Sequence, residues 1–139
     1  MDYQVIRKDF IEQMDKIKLE MKGVMEKYLA QEAKIFFDAN PNIDSFGWLQ
    51  YTDYFNDGDT CNFYVRAEYE RVRINGSSGE DWAYDLPRIA GEVDWTLPKA
   101  VCELVDQFNA EDLLMLFGDH VEVQVNRDGK MADSSYRNH

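Results

Sequence analysis

The first 38 residues carry the most regular hydrophobic pattern in the chain. Apolar side chains recur at alternating steps of four and three residues, at Phe10, Met14, Ile17, Met21, Val24 and Tyr28. This spacing is typical of a helix whose apolar stripe packs against another helix. Ile6 and Ile35 extend the stripe, and Asn40-Pro41 ends it, because the residue before a proline disfavours helical geometry. The pattern predicts one long helix within residues 1–38, beginning at residue 3.

The length of this helix leaves two interpretations open. A helix of about 36 residues is about 54 Å long, whereas a compact domain of about 139 residues has a radius of gyration of about 14 Å. The helix therefore either bends over its own domain or extends beyond it. In the first case the stripe packs on the protein's own sheet and C-terminal helices. In the second case the six stripe residues form an oligomerisation surface, most simply a homodimer.

Residues 45–87 change to short aromatic and β-branched runs, which predict an antiparallel β-meander. Strands are expected over 48–55, 61–74 and 82–86, with a bulge or bend after Tyr69, where the apolar residues change face. The segment 56–59, Asn-Asp-Gly-Asp, has the composition of a hairpin turn, because glycine supplies a positive φ and Asx side chains bond the local backbone. It fails as a calcium loop, because Phe55 and Tyr64 occupy two of the ligand positions.

The C-terminal third predicts helices followed by a hairpin. Apolar positions between Thr96 and Phe117 fit two short helices, and the following residues alternate and turn at Asp128-Gly129. Helices and hairpin together cover 96–136. The order helix, strands, helices, hairpin predicts a single α+β domain over residues 1–139.

The charge of the chain limits the kinds of partner that it is expected to bind. There are 27 acidic and 15 basic side chains, which gives a net charge of −12 at pH 7. Residues 76–122 alone hold eleven acids against Arg88 and Lys99. Such a segment repels nucleic acid and anionic membranes and attracts basic protein surfaces. We therefore expect no direct binding of nucleic acid or membrane, and a basic protein or a nucleic-acid-binding complex as partner.

The residues expected to contact this partner are acids of the charged segment and two tyrosines near the first predicted turn. They are Glu80, Asp81, Asp85, Glu92, Asp94, Glu103, Asp106, Glu111, Asp112, Tyr51 and Tyr54. The tyrosines are included because aromatic residues beside charged groups are enriched at interfaces.

Candidate chemistry is sparse, so neither a catalytic residue, nor a metal site, nor a cofactor is predicted. His120 follows Gly118-Asp119 at a helix-to-strand junction, where a histidine bonded to the backbone is favoured over a general base. Cys61 and Cys102 are isolated, without the paired spacing of a zinc site. Arg66, Arg71 and Arg73 are expected to pair with acids across strands. The N-terminus lacks the apolar run of a signal peptide, which favours the cytoplasm.

Two segments carry a resemblance to a known group of proteins. They read GWLQYTDYFNDGDTCNF near residue 46 and LMLFGDHVEVQVNRDGK near residue 114. Together they resemble a family of small uncharacterised proteins encoded by bacteriophages and other viruses, which share a YFNDGD turn and a closing GDH–strand–RDG hairpin. The resemblance implies a viral origin and assigns no catalytic residue.

Three functions follow as expectations. The first is a non-catalytic acidic binding module, phage-encoded, that inhibits a host restriction, CRISPR or other nucleic-acid-binding factor by mimicking the charge of DNA in the host cytoplasm. The second is a structural or regulatory oligomer built on the N-terminal helix. The third is an enzyme with an unrecognised site, which would need a shaped pocket with perturbed titrating groups.

Overall fold

The chain folds as one long helix followed by a mixed arrangement of short strands and helices, and its computed structural model describes residues 2–53, 58, 61–78 and 86–135. The helices are α1 (Tyr3–Ala39), α2 (Thr96–Val105) and α3 (Ala110–Phe117). The strands are β1 (Ser45–Thr52), β2 (Phe63–Arg66), β3 (Arg73–Ile74), β4 (Arg88–Ile89), β5 (Glu92–Val93), β6 (Val121–Asn126) and β7 (Met131–Ser135). The predicted α+β class is confirmed.

Helix α1 begins and ends where the sequence predicted, to within one residue. The carboxylate of Asp2 accepts a hydrogen bond from the backbone N–H of Gln4 at 3.2 Å and so caps the first turn. At the other end, the side-chain amide of Asn40 donates to the carbonyl oxygen of Phe36 at 2.9 Å. Both ends of the helix therefore have side-chain partners for backbone groups that the helix itself leaves unpaired.

Strand β1 is the centre of a five-stranded antiparallel sheet. It pairs with β6 along one side and with both β2 and β3 along the other, and β7 forms the edge beyond β6. The run predicted as one strand over 61–74 is therefore divided into β2 and β3, and the division includes the position after Tyr69 where a bulge was expected. The predicted strand over 82–86 lies outside the described residues, except for Leu86.

Two hairpins show different degrees of predictability. The C-terminal hairpin β6–β7 turns at Asp128-Gly129 as predicted, with Gly129 at a φ of 90°. The small hairpin β4–β5 was not anticipated. It turns at Ala90-Gly91, where both residues have positive φ, and alanine gives no sequence signal for that conformation.

The core lies where the C-terminal half of α1 meets β1. Phe36 packs on Phe46 with ring centroids 5.3 Å apart, and Trp48 meets Phe117 of α3 at 5.8 Å. Trp48 is fully buried, and its indole Nε1 donates to the side-chain oxygen of Gln50 at 2.9 Å. Phe46 and Trp48 of β1 therefore provide aromatic contacts between the sheet and the two helices.

Two residues of β1, Gln50 and Gly47, are expected to tolerate few substitutions. The side-chain nitrogen of Gln50, a fully buried residue, donates to the carbonyl oxygens of Leu113 at 2.9 Å and Gly118 at 2.7 Å, which joins the sheet to α3. Gly47 lies so close to β6 that a Cβ atom would stand 2.2 Å from the carbonyl oxygen of Val123. The pairing of β1 with β6 therefore requires glycine at this position.

Candidate functional site

The N-terminal half of α1 extends beyond the rest of the protein. Residues 2–21 are all exposed, and the first buried residue of the helix is Met25. At about 1.5 Å per residue, this projecting segment is about 30 Å long. Of the two interpretations left open by the sequence, the structure therefore shows the helix that extends beyond the domain.

The apolar stripe lies exposed along this helix. Its six predicted members are exposed by fractions that run from 42% for Tyr28 to 67% for Val24. Tyr3 and Ile6 continue the same stripe towards the N-terminus and are also exposed. A continuous apolar stripe on an isolated helix is the surface that helix–helix pairing buries, so we take it as the candidate site.

The face of α1 that packs on the sheet is a different one. Met25, Leu29, Ala33, Phe36 and Phe37 are its buried residues. At about 100° per residue, their centre lies about 100° around the helix from the centre of the stripe. The stripe is therefore not a continuation of the protein's own core, and the folded chain leaves it exposed.

One end of the stripe does have a partner within the chain. The ring of Tyr28 meets that of Phe108 edge-on at 5.6 Å, and its hydroxyl donates to Gln107 Oε1 at 2.5 Å. Tyr28, predicted as part of the oligomerisation stripe, therefore also has contacts within its own chain. Gln107 and Phe108 lie between α2 and α3, so this contact fixes the direction in which α1 leaves the domain.

The acidic residues predicted to form one surface lie on several elements. Glu92 lies on β5, Glu103 is in α2 with Asp106 just after it, and Glu111 and Asp112 occupy the first turn of α3. Acids in a first helical turn stabilise the positive end of the helix dipole. The pair in α3 therefore has a local structural role, whereas Glu103 and Asp106 are exposed at the end of α2 where the dipole disfavours them.

Some acids of the charged segment are held by the fold itself. The carboxylate of Asp94, predicted to bind a partner, instead accepts a hydrogen bond from the backbone N–H of Thr96 at 3.1 Å and from its hydroxyl, and so caps α2. Glu122 pairs with Arg73 Nε at 2.9 Å, as the sequence predicted for Arg73. Asp94 therefore has a structural role at the start of α2, and its contact with a partner stays a prediction. Glu80, Asp81 and Asp85 lie outside the described residues.

The two tyrosines predicted as exposed anchors differ in outcome. Tyr51 is only 5% exposed, and its hydroxyl accepts a hydrogen bond from Arg66 Nε at 3.0 Å. The guanidinium of Arg66 lies over the ring of Tyr64 at 4.5 Å. Tyr51 is therefore a buried residue of the sheet and is withdrawn as an interface anchor. Tyr54 lies outside the described residues.

The GDH segment of the resemblance lies between α3 and β6 and contacts the end of β1. The carboxylate of Asp119 accepts hydrogen bonds from the backbone N–H of Thr52 at 2.8 Å and from its hydroxyl at 2.7 Å. Gly118 ends α3 at a φ of 90°, and His120 follows at a φ of 53°. Asp119 therefore fixes the last residue of β1 to the start of β6, which is a structural task.

The arginine of the RDG segment holds the end of α1. Its guanidinium donates to the carbonyl oxygens of Phe37 at 2.9 Å, Asn40 at 2.6 Å and Ile43, and it lies 5.1 Å from the centre of the Phe37 ring. Arg127 thereby satisfies carbonyl groups at and beyond the C-terminus of the helix, where a cation is favoured by the dipole. The GDH and RDG parts of the resemblance therefore have structural roles, whereas the YFNDGD turn, predicted over 56–59, lies outside the described residues except for Gly58.

Reactive side chains show no assembled site in the part of the chain that the structure describes. No three His, Cys, Asp or Glu side chains in those ranges come close enough to hold a metal ion. Burial raises the pKa of the Cys102 thiol, and Asp106, whose Oδ2 lies 3.7 Å from Sγ, raises it further. A higher pKa leaves less of the nucleophilic thiolate at neutral pH.

An open cleft of about 810 Å³ lies between α1, α3 and the C-terminal hairpin. Its charged lining consists of Glu26, Lys27 and Asp133, and glycine, alanine and larger apolar residues form the rest. Across residues 2–53, 58, 61–78 and 86–135, no helix has both the length and the apolar composition for crossing a bilayer.

Comparison with known proteins gives no assignment, because no protein family, no curated protein and no solved structure matches this chain.

Proposed function

We propose that this protein is a non-catalytic self-associating protein, whose α1 helix pairs with α1 of a second copy through the exposed apolar stripe. The observation that carries the proposal is the stripe itself, which runs along a helix with no cover from its own domain over residues 2–21. An isolated helix of about 20 residues has little stability of its own in water, and packing of its apolar face is what normally stabilises it. Pairing supplies that packing.

The energy available from pairing is of the right size. Seven stripe residues from Tyr3 to Val24 have between 38% and 70% of their surface exposed. Burying the remainder of each contributes about 1 kcal/mol, since full burial contributes about 1.5–3 kcal/mol. Fourteen such residues in a pair give about 14 kcal/mol. A micromolar pair needs about 8 kcal/mol net, which leaves about 6 kcal/mol for an association cost in the range of about 4–15 kcal/mol.

Light scattering after size exclusion tests the proposal directly. The wild-type chain is expected at twice the monomer mass of 16.3 kDa at tens of micromolar. The triple variant Met14→Gln, Ile17→Gln, Met21→Gln is expected to be monomeric, because glutamine keeps the helix propensity but removes the apolar seam. A wild-type protein that stays monomeric at several hundred micromolar rules the proposal out.

A second candidate is recognition of a basic partner by the acidic domain. It is supported by Glu103 and Asp106, which lie three residues apart and exposed at a helix end where their charge opposes the dipole. Inhibition of a host nucleic-acid-binding factor is one form of this proposal. A basic protein captured from a host lysate at low salt and released at high salt supports it, provided that Glu103→Gln with Asp106→Asn reduces capture. Capture that is insensitive to both salt and this variant contradicts it.

A further inference from the structure

We infer that the two α1 helices pair antiparallel about a two-fold axis, with Met14 of one copy packed against the partner's Ile17. The inference rests on the proposed self-association and adds its orientation and register. In this register, the residue numbers of two seam positions that face each other add up to 31. Phe10 then faces the partner's Met21, and the paired region runs from Tyr3 to Tyr28.

From Tyr3 to Tyr28, the stripe residues other than Ile6 occupy the two seam positions of a heptad repeat, and Arg7 occupies the one remaining seam position. One set of positions holds Arg7, Met14, Met21 and Tyr28, and the other holds Tyr3, Phe10, Ile17 and Val24. In an antiparallel pair each member of one set faces a member of the other. A parallel pair would instead place each residue against its own copy, which brings Arg7 against the partner's Arg7 inside the seam. The antiparallel pair places Arg7 against the partner's Val24.

The charge of the domains favours the same orientation. Residues 39–139 hold 19 acidic and 8 basic side chains, a net charge of −11. A parallel pair brings two such domains together at one end of the helices. The antiparallel pair separates the two Tyr28 positions by about 38 Å along the axis, which is several times the screening length of about 8 Å at physiological salt. Most of the repulsion between the two domains is then screened.

The residues that flank the seam select the register. When the seam positions sum to 31, the flanking positions meet in pairs that sum to 29 or 33. Ile11 then lies beside the partner's Lys18, and Gln13 lies beside the partner's Glu20, so no like charges meet. A shift by one heptad towards the domains brings Lys18 beside the partner's Lys18. The same shift brings Glu20 beside the partner's Glu20, so like charges meet at both positions. Flanking charges of this kind set the orientation and partner choice of coiled coils. A shift in the other direction leaves Val24 uncovered and shortens the pair.

The ends of the pair meet a preformed contact on the partner's domain. Tyr3, 70% exposed, faces the partner's Tyr28 in this register. That ring is already held edge-on by Phe108 and by the hydrogen bond to Gln107. The first turn of each helix therefore ends against a fixed aromatic group, which explains why Tyr28 is both part of the stripe and bound within its own chain.

Distances between spin labels on the two copies test orientation and register together. Labels are attached at Val5→Cys, Glu12→Cys or Leu19→Cys, three positions that share one exposed side of the helix away from the seam, in a chain with Cys61→Ser and Cys102→Ser. At about 1.5 Å per residue, the axial offset between labels is about 32 Å at position 5 and about 10 Å at positions 12 and 19. We expect a long distance for position 5 and two equal, shorter distances for the others.

The outcomes separate this inference from the proposal on which it rests. Equal distances at all three positions, in a protein that is dimeric by light scattering, overturn the antiparallel orientation and leave self-association standing. Unequal distances at positions 12 and 19 overturn the register. A monomeric protein overturns both proposals. As a second readout in the same chain with Cys61→Ser and Cys102→Ser, a mixture of Met14→Cys and Ile17→Cys chains is expected to form a mixed disulfide faster than either chain links to itself, and the reverse order contradicts the inference.

Discussion

Gln50 offers the sharpest test of how the sheet is joined to α3. Its side chain accepts from Trp48 Nε1 and donates to the carbonyl oxygens of Leu113 and Gly118, all within 2.9 Å. The change Gln50→Leu keeps the size of the side chain but removes the three hydrogen bonds. A buried polar group without a partner costs about 1–3 kcal/mol. The Leu113 carbonyl lies within α3 and keeps its helical partner, so two groups are orphaned and we expect a loss of about 3 kcal/mol in the free energy of unfolding.

Urea unfolding followed by tryptophan fluorescence measures this loss. With a slope of about 1–3 kcal/mol per molar urea for a protein of this size, the midpoint moves down by about 1–3 M. The matched control is Gln124→Leu, an exposed glutamine on β6 of the same sheet, which we expect to stay within about 0.5 kcal/mol of wild type. A Gln50→Leu variant within 1 kcal/mol of wild type would refute the reasoning.

The change Gln50→Glu adds a pH dependence with a definite sign. A carboxyl group buried against two carbonyl oxygens is disfavoured in its charged form, so its folded-state pKa lies above the unfolded value of about 4.3. A group whose pKa is raised by folding contributes fully below its unfolded pKa, and its contribution is lost as the pH rises towards its folded pKa. The difference in stability between Gln50→Glu and wild type is therefore expected to grow as the pH increases above about 4.

Three further changes test other parts of the account. Gly47→Ala is expected to lower the thermal midpoint strongly or prevent folding, because its Cβ would lie 2.2 Å from the Val123 carbonyl oxygen; a stable variant contradicts the close approach of β1 and β6. Arg127→Lys is expected to cost about 2 kcal/mol in urea unfolding, because one ammonium group cannot replace a guanidinium that reaches three carbonyls, with Arg88→Lys near zero as control. Asp106→Asn is expected to speed the alkylation of Cys102 at pH 8 by lowering the pKa of the thiol, and an unchanged rate contradicts the contribution of that carboxylate.

The sequence predicted those elements whose signals are local. The bounds of α1 follow from a stripe that repeats over eight turns and from Asn40-Pro41, and the C-terminal hairpin follows from Asp128-Gly129 between alternating residues. The pairing of β1 with β6 joins residues about 75 positions apart, and no local pattern specifies such a partner. The central position of β1 in the sheet therefore could not be predicted from periodicity alone.

The candidate site was predictable in its residues and not in its surroundings. The most regular apolar stripe of α1 turned out to be the exposed one, while the packed face uses Met25, Leu29 and Ala33 over little more than three turns. A short packed face gives a weaker periodic signal than a long unpacked one, so the pattern alone does not distinguish them. Acids likewise can be counted in a sequence, but whether Asp94 faces a partner or caps a helix depends on backbone geometry.

Sedimentation velocity over a range of concentrations tests the central claim, that the stripe of α1 is the surface through which copies associate. The measurement compares wild type with Ile17→Gln and Leu19→Gln, which remove exposed apolar side chains of similar size from the stripe and from the opposite side of the same helix. Ile17 is 58% exposed and Leu19 is 71% exposed, so exposure alone would predict the same or a greater effect for Leu19. We expect wild type and Leu19→Gln to sediment as dimers with equal affinity, and Ile17→Gln to dissociate at concentrations at least tenfold higher. Equal behaviour of the two variants, or a wild type that sediments as a monomer throughout, would contradict the account.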